Sequence, residues 1–62
     1  MNEIEDGIYG VNLMENVFYK VDGDTVTISV NGGEYAEPFF KTTKEDIKRS
    51  VDKGVLFRVG DL

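Results

Sequence analysis

Alternating apolar and polar positions predict short strands over the first forty residues of the chain. In the segment Thr25–Val30, Val26, Ile28 and Val30 share one face, and threonine and serine occupy the other. This alternation is typical of an antiparallel strand with one buried face. Residues 7–14, 17–21 and 34–40 have the aromatic and β-branched composition of further strands. Turns are expected at 15–16, 22–24 and 31–33, and Gly or Asn in the last two suits tight hairpins.

One segment has a helical pattern, and it predicts a helix over roughly residues 43–53. Ile47 and Val51 are four residues apart, so they form one apolar stripe on the helix. Thr42 and Glu45 have the spacing of a capping box, which places the helix N-cap at Thr42. A final strand is expected at 55–59.

The order of the elements, β-β-β-β-α-β, predicts an α+β fold in a single small domain over residues 1–62. Residues 1–6 form an acidic N-terminal segment that need not be ordered. A two-residue helical stripe is too narrow to cover a flat sheet of about five strands. We therefore expect a small curled antiparallel sheet, a half-open barrel, with one short helix near the C-terminus and bends at Gly10 and Pro38. The predicted core consists of Ile8, Val11, Val17, Tyr19, Val26, Ile28, Val30, Phe39, Ile47, Val51, Val55, Phe57 and Val59.

The composition limits how such a domain can be stabilised. The 62 residues include no Cys, His or Trp, which excludes disulfides and the usual zinc sites. Nineteen residues are Leu, Ile, Val or Phe, so an apolar core is available, and we expect no cofactor or metal. No apolar run approaches the ~20 residues of a membrane span, and the acidic N-terminus is unlike a signal peptide. A cytoplasmic protein without a membrane partner is expected.

The residues offer little chemistry for catalysis. A nucleophile needs an adjacent base, and the only pair with suitable spacing, Ser50 and Lys53, is typical of an exposed helix face. Asp22, Gly23 and Asp24 resemble a fragment of a calcium loop. An EF-hand loop requires about five ligand positions, so a hairpin turn is the better interpretation. The chain is expected not to be an enzyme.

The charge is unevenly distributed along the chain. The net charge is −5, but residues 1–40 contain eight carboxylates against the single Lys20. Residues 41–62 contain six Lys or Arg against four carboxylates. Such a polarised molecule attracts a basic partner toward its acidic part. The alternative is that this charge serves only solubility, for which −5 is an ordinary value.

Carboxylates on the predicted strands suggest a more specific hypothesis. Residues two apart on a strand are about 6.6 Å apart, so carboxylates there form short rows of negative charge. A basic groove built for phosphates accepts an ordered array of anions. We therefore expect binding to a basic protein, of the DNA- or RNA-binding kind, that is inhibited or modulated by mimicry of DNA charge. Outward-facing aromatic residues would anchor the contact. The predicted partner-binding residues are Glu15, Asp22, Asp24, Glu34, Glu37, Phe18 and Tyr35.

In size, acidity and absence of cysteine, the chain resembles small phage-encoded inhibitors of host DNA-binding proteins, which implies a host-cytoplasmic location. No motif carries this resemblance, so it assigns no family. One alternative is an adaptor or accessory subunit that binds through apolar edge strands, with Pro38 marking the edge. Another is single-strand nucleic-acid binding through the Lys/Arg face of the helix, which a sequence pI near 4.4 disfavours. A monomer and a homodimer both remain open.

Overall fold

The computed structural model describes residues 4–62 and contains one antiparallel sheet of four strands and one helix. The strands lie in the order β3-β2-β1-β4, and the sheet does not close on itself. The predicted α+β fold with a short helix near the C-terminus is confirmed. The elements are β1 (Gly7–Val11), β2 (Met14–Asp22), β3 (Thr25–Val30), α1 (Lys44–Asp52) and β4 (Leu56–Gly60).

The predicted strand at 34–40 is reduced to a single bridge. The Ala36 N–H donates to the Ile28 carbonyl at 2.9 Å, and the Ile28 N–H donates to the Ala36 carbonyl at 2.8 Å. The rest of the segment is irregular. Pro38 has no N–H with which to continue the ladder, and the chain must leave the edge of the sheet to reach α1. The sheet therefore has four strands instead of five.

The turn between β1 and β2 lies at Asn12 and Leu13, whereas the sequence predicts it at residues 15–16. The Asn12 N–H donates to the Val55 carbonyl at 2.8 Å, and the Asn12 amide donates to the Gly54 carbonyl at 3.3 Å. These contacts tie the turn to the chain that follows α1. They join residues more than forty positions apart, so local sequence patterns do not reveal them.

One face of the sheet is covered by α1, and the buried residues gather beneath it. They come from α1 and from all four strands, and they form a core between the helix and the sheet. The predicted alternation of β3 is confirmed for Val26 and Ile28, which pair with Val21 and Tyr19 on the helix side. It is wrong for Ser29, which is buried on the other face. The opposite face, called the open face, has no helix against it among residues 4–62. The buried apolar residues are Tyr9, Val21, Val26, Ile47 and Leu56.

The predicted inward face of β4 is wrong. Phe57 and Val59 are about half exposed, whereas Leu56 is only 4% exposed. Phe57 and Val59 share one face and Leu56 shares the other with Arg58, so local alternation favours burial of the wrong face. Leu56 is the buried residue of the strand, because it pairs with Val11 on the helix side and packs in the core.

Three other residues of the predicted core are exposed: Val30, Phe39 and Val55. Val30 ends β3, and Phe39 lies in the irregular segment that replaces the predicted strand. Val55 directly precedes β4, in the connection that follows α1. Ile8 is half-buried, and it pairs with Lys20 away from the helix side.

The helix begins one residue later than predicted. Thr43 is the N-cap: its Oγ1 accepts from the Asp46 N–H at 3.2 Å, and its own N–H donates to the Asp46 carboxylate at 3.0 Å. The bond from the Thr43 N–H is the main cause that lowers the pKa of Asp46. The Thr42 hydroxyl instead donates to the Phe40 carbonyl at 3.0 Å. The box is therefore Thr43 with Asp46, and it replaces the predicted Thr42 and Glu45.

The position of this cap can be tested by two neighbouring substitutions. Thr43→Ala removes the acceptor for the Asp46 N–H, and we expect it to lower the free energy of unfolding by about 1 kcal/mol. Thr42→Ala is the matched control and is expected to change it by less than about 0.5 kcal/mol. Urea unfolding followed by circular dichroism measures both. A larger loss for Thr42→Ala than for Thr43→Ala would contradict the assignment.

Candidate functional site

The basic residues of α1 and β4 are largely neutralised by carboxylates. Four of the seven Lys and Arg residues form ion pairs within the described part of the chain. Each exposed pair adds little stability, but together they leave little free positive charge along this side of the molecule. The pairs are Lys44–Asp6 (3.6 Å), Lys48–Asp52 (3.0 Å), Arg49–Asp46 (3.1 Å), Arg58–Asp61 (2.6 Å) and Arg58–Glu5 (3.7 Å).

The five carboxylates predicted to bind a partner differ from these. All are exposed, and none forms an ion pair with another residue in 4–62. They lie in residues 14–37, where Lys20 is the only basic residue, so that this stretch has a net charge of −4. Most of the uncompensated negative charge is therefore on the β2–β3 hairpin and the segment after it. These residues, called the acidic rim, are Glu15, Asp22, Asp24, Glu34 and Glu37.

The acidic rim surrounds the hairpin and does not form one cluster. Asp22 and Asp24 flank the turn between β2 and β3. Glu15 lies at the other end of β2, about 23 Å away at 3.3 Å per residue. Glu34 and Glu37 follow β3, on either side of the Ala36 bridge to its outer edge. Two ends and one edge of the hairpin are therefore acidic.

The open face contains an apolar patch centred on Gly10. Phe18 pairs with Gly10 from β2, and Phe57 pairs with Gly10 from β4. A Cβ atom on Gly10 would lie 3.0 Å from the Phe57 ring and 3.1 Å from a Val59 methyl group, so both side chains lie against the glycine. This register places Phe18 on the face away from the helix, as predicted, and its side chain there is half-buried. The open-face patch consists of Ile8, Phe18, Phe57 and Val59.

Sequence reasoning places Ile8, Phe57 and Val59 in the core and therefore misses three of the four residues of this patch. Gly10 is the feature of the sequence that could have indicated this patch. A glycine within a strand leaves room for a large side chain on a neighbouring strand. Its interpretation as a bend overlooks that role.

Tyr35 lies close to this same face. The Lys20 ammonium is 5.4 Å from the centre of the Tyr35 ring, within the range of a cation–π contact. Lys20 follows Phe18 by two residues on β2, so the two side chains share a face. The structure thus brings the predicted residues Phe18 and Tyr35 to one side of the hairpin, inside the acidic rim.

A second apolar surface lies on the helix side. Because α1 packs against β4, it leaves part of the β2–β3 hairpin uncovered. A groove of about 530 Å³ lies there between the helix and the hairpin. Asp46 and Ser50 of the helix and Thr42 before it also line it. Its apolar lining includes Met14, Val17, Tyr19, Ile28, Val30 and Ile47.

Within residues 4–62, no helix is long and apolar enough to cross a membrane, and no three acidic side chains are grouped so that they could hold a metal ion. No protein-family model matches the chain, and comparison with curated proteins and solved structures finds no match. The assignment of function therefore depends on the chemistry of the acidic rim, the open-face patch and the groove.

Proposed function

We propose that the protein binds a basic surface of another protein through the acidic rim and the open-face patch, and so inhibits or modulates that partner. The observation that supports this is the division of charge. Helix and β4 carboxylates are mostly matched with Lys or Arg, whereas the five rim carboxylates have no such partner in residues 4–62. The proposal assigns no catalytic role.

The two surfaces have complementary tasks. Uncompensated carboxylates attract a basic partner from a distance and raise the rate of encounter. Affinity in a protein interface comes mainly from a few apolar or aromatic side chains that lose their water, and charged residues form the margin. Phe18 and Phe57 supply such a centre on the open face, and Tyr35 stands at its edge.

A DNA- or RNA-binding protein is the partner that fits this surface best. Its binding site is rich in Lys and Arg, since phosphate contacts dominate affinity for nucleic acid. Carboxylates at the ends and edge of the hairpin can occupy positions that phosphates otherwise take. We place the encounter in the cytoplasm, where such a partner meets nucleic acid.

Competitive elution tests the proposal and does not require that the partner be identified first. The proteins of the native cell lysate that bind DNA-cellulose serve as the probe. At fixed, low ionic strength, the wild-type protein is expected to release one or a few of them into the eluate. The double variant Glu34→Gln, Glu37→Gln is expected to release much less, because it lacks two of the five rim charges.

A matched control removes two carboxylates elsewhere. Glu45→Gln with Asp52→Asn changes the net charge equally but alters only α1, and it is expected to release the partner as the wild type does. The proposal is contradicted if the wild type releases no protein from DNA-cellulose, or if both double variants release equally less than the wild type. The second result would mean that net charge, and not its position, is responsible.

The half-exposed Phe57 and Val59 beside Phe18 favour one alternative, an adaptor that binds through apolar contacts alone. That complex would be insensitive to salt, whereas binding through the rim weakens as salt rises. Direct binding of single-stranded nucleic acid has less support, because Lys44, Lys48 and Arg49 are paired with carboxylates. A gel shift by the protein alone would favour it.

A further inference from the structure

Two neighbouring phenylalanines protrude from the segment before α1. Phe39 is 93% exposed and Phe40 is 76% exposed. Their rings contact each other edge to face, with centres 4.9 Å apart. The Thr42 hydroxyl donates to the Phe40 carbonyl and fixes the backbone behind the pair. The chain therefore presents a pre-formed apolar projection to solvent, which is unfavourable for an isolated molecule.

The groove on the helix side is adjacent to this projection. Thr42, two residues after Phe40, is part of its lining. An apolar cavity of about 150 Å³ accepts one benzene ring, so a groove of about 530 Å³ has room for two phenyl rings. The same molecule thus carries an apolar projection and, next to it, an apolar groove that the projection does not fill.

We propose that two copies of the chain form a symmetric dimer in which Phe39 and Phe40 of each copy enter the groove of the other. When a projection and a groove lie side by side on one surface, a single two-fold axis can place the projection of each copy in the groove of the other. Such an interface closes on itself and stops at two subunits. This inference concerns the helix side, whereas the proposed function uses the open face, and the two share only the rim residue Glu15.

The area buried is sufficient for a stable dimer. A buried aromatic side chain removes about 150–250 Å² from water. Four rings therefore bury about 600–1,000 Å², and the groove walls that cover them add a smaller area. The total is close to the roughly 1,000 Å² that a specific interface needs.

The charges next to the two surfaces are complementary. Lys41 follows Phe40 directly, and it forms no ion pair with a residue in the described part of the chain. Glu15, which forms no ion pair within residues 4–62, follows the groove residue Met14. Asp46 also lines the groove, but it is already paired with Arg49. A lysine therefore accompanies the projection, and carboxylates border the groove that receives it.

Sedimentation velocity over a range of concentrations tests the dimer. The wild-type chain is expected to sediment with twice its 7.0 kDa mass. Phe39→Ser with Phe40→Ser is expected to weaken dimerisation by about 100-fold or more, because it removes the anchoring rings. Val30→Glu, which places a charge in the groove, is expected to have the same effect from the other surface.

The matched control changes two other exposed apolar residues. Leu13→Ser with Leu62→Ser is expected to remain dimeric, and circular dichroism shows that each variant is folded. A monomeric wild type overturns the proposal, whether the groove is empty or is filled by the chain's own phenylalanines. A dimer that survives Phe39→Ser with Phe40→Ser also overturns it, as does open-ended growth beyond two subunits.

Discussion

Leu56→Ala is expected to unfold most of the protein. Leu56 is 4% exposed and packs with Ile47 and Tyr9 in the small core beneath the helix. Truncation of a buried leucine to alanine costs about 2–5 kcal/mol. A domain of this size has a total stability of only about 3–5 kcal/mol. Circular dichroism at room temperature is therefore expected to show a largely unfolded chain.

Phe57→Ala is the matched control, because it alters the next residue of the same strand. Phe57 is 51% exposed on the open face, so its truncation is expected to cost about 1 kcal/mol and to leave the chain folded. The pair of variants thus reports which face of β4 is buried. A folded Leu56→Ala together with an unfolded Phe57→Ala would show that the strand has the opposite orientation.

Gly7→Ala is expected to produce the second large effect. A Cβ atom at Gly7 would lie 2.5 Å from the carbonyl oxygen of Gly60, and the φ angle of Gly7 is 156°. The contact is with backbone, which cannot rotate away, so β1 and β4 must separate. We expect a loss of about 2 kcal/mol or more in the free energy of unfolding.

The control for Gly7 is its neighbour across the contact. A Cβ atom at Gly60 meets nothing within 4 Å, and Gly60→Ala is expected to be nearly neutral. Urea unfolding of both variants measures the difference. Equal losses of unfolding free energy in the two variants would show that β1 and β4 do not approach as closely at Gly7 as this geometry requires. No loss for Gly7→Ala would indicate that this end of the sheet is open.

The elements with strong local signals were predictable from the sequence. The alternation in β3 indicates its buried face, and the spacing of Ile47 and Val51 indicates the inner stripe of the helix. The pattern failed where it was ambiguous or where distant contacts decide the outcome. In β4 Phe57 and Val59 share one face and Leu56 shares the other with Arg58, so local alternation favours the wrong face. The choice of Leu56 as the buried residue depends on how α1 packs. The turn at Asn12 depends on hydrogen bonds to residues that follow the helix.

The candidate site was predictable in part for the same reasons. Exposed carboxylates can be recognised by residue type, but their ion pairs depend on the fold. Only the structure shows that Asp46 and Asp52 form ion pairs, whereas the carboxylates of the acidic rim form none within residues 4–62. Of the open-face patch only Phe18 was recognised, since its position on the outer face follows from local alternation. The position of Phe57 follows from the register of β1 against β4 around Gly10.

The most direct test of the proposed function is the salt dependence of binding. The protein released from DNA-cellulose is purified, and its affinity for the wild type and for the Glu34→Gln, Glu37→Gln variant is measured from low to high salt. We expect the affinity of the wild type to fall steeply as salt rises. The variant is expected to bind more weakly at low salt and to depend less on salt, because it lacks two of the carboxylates whose attraction salt screens in the wild type. Affinity that stays constant across the salt range, and equal for both proteins, would contradict binding through the acidic rim.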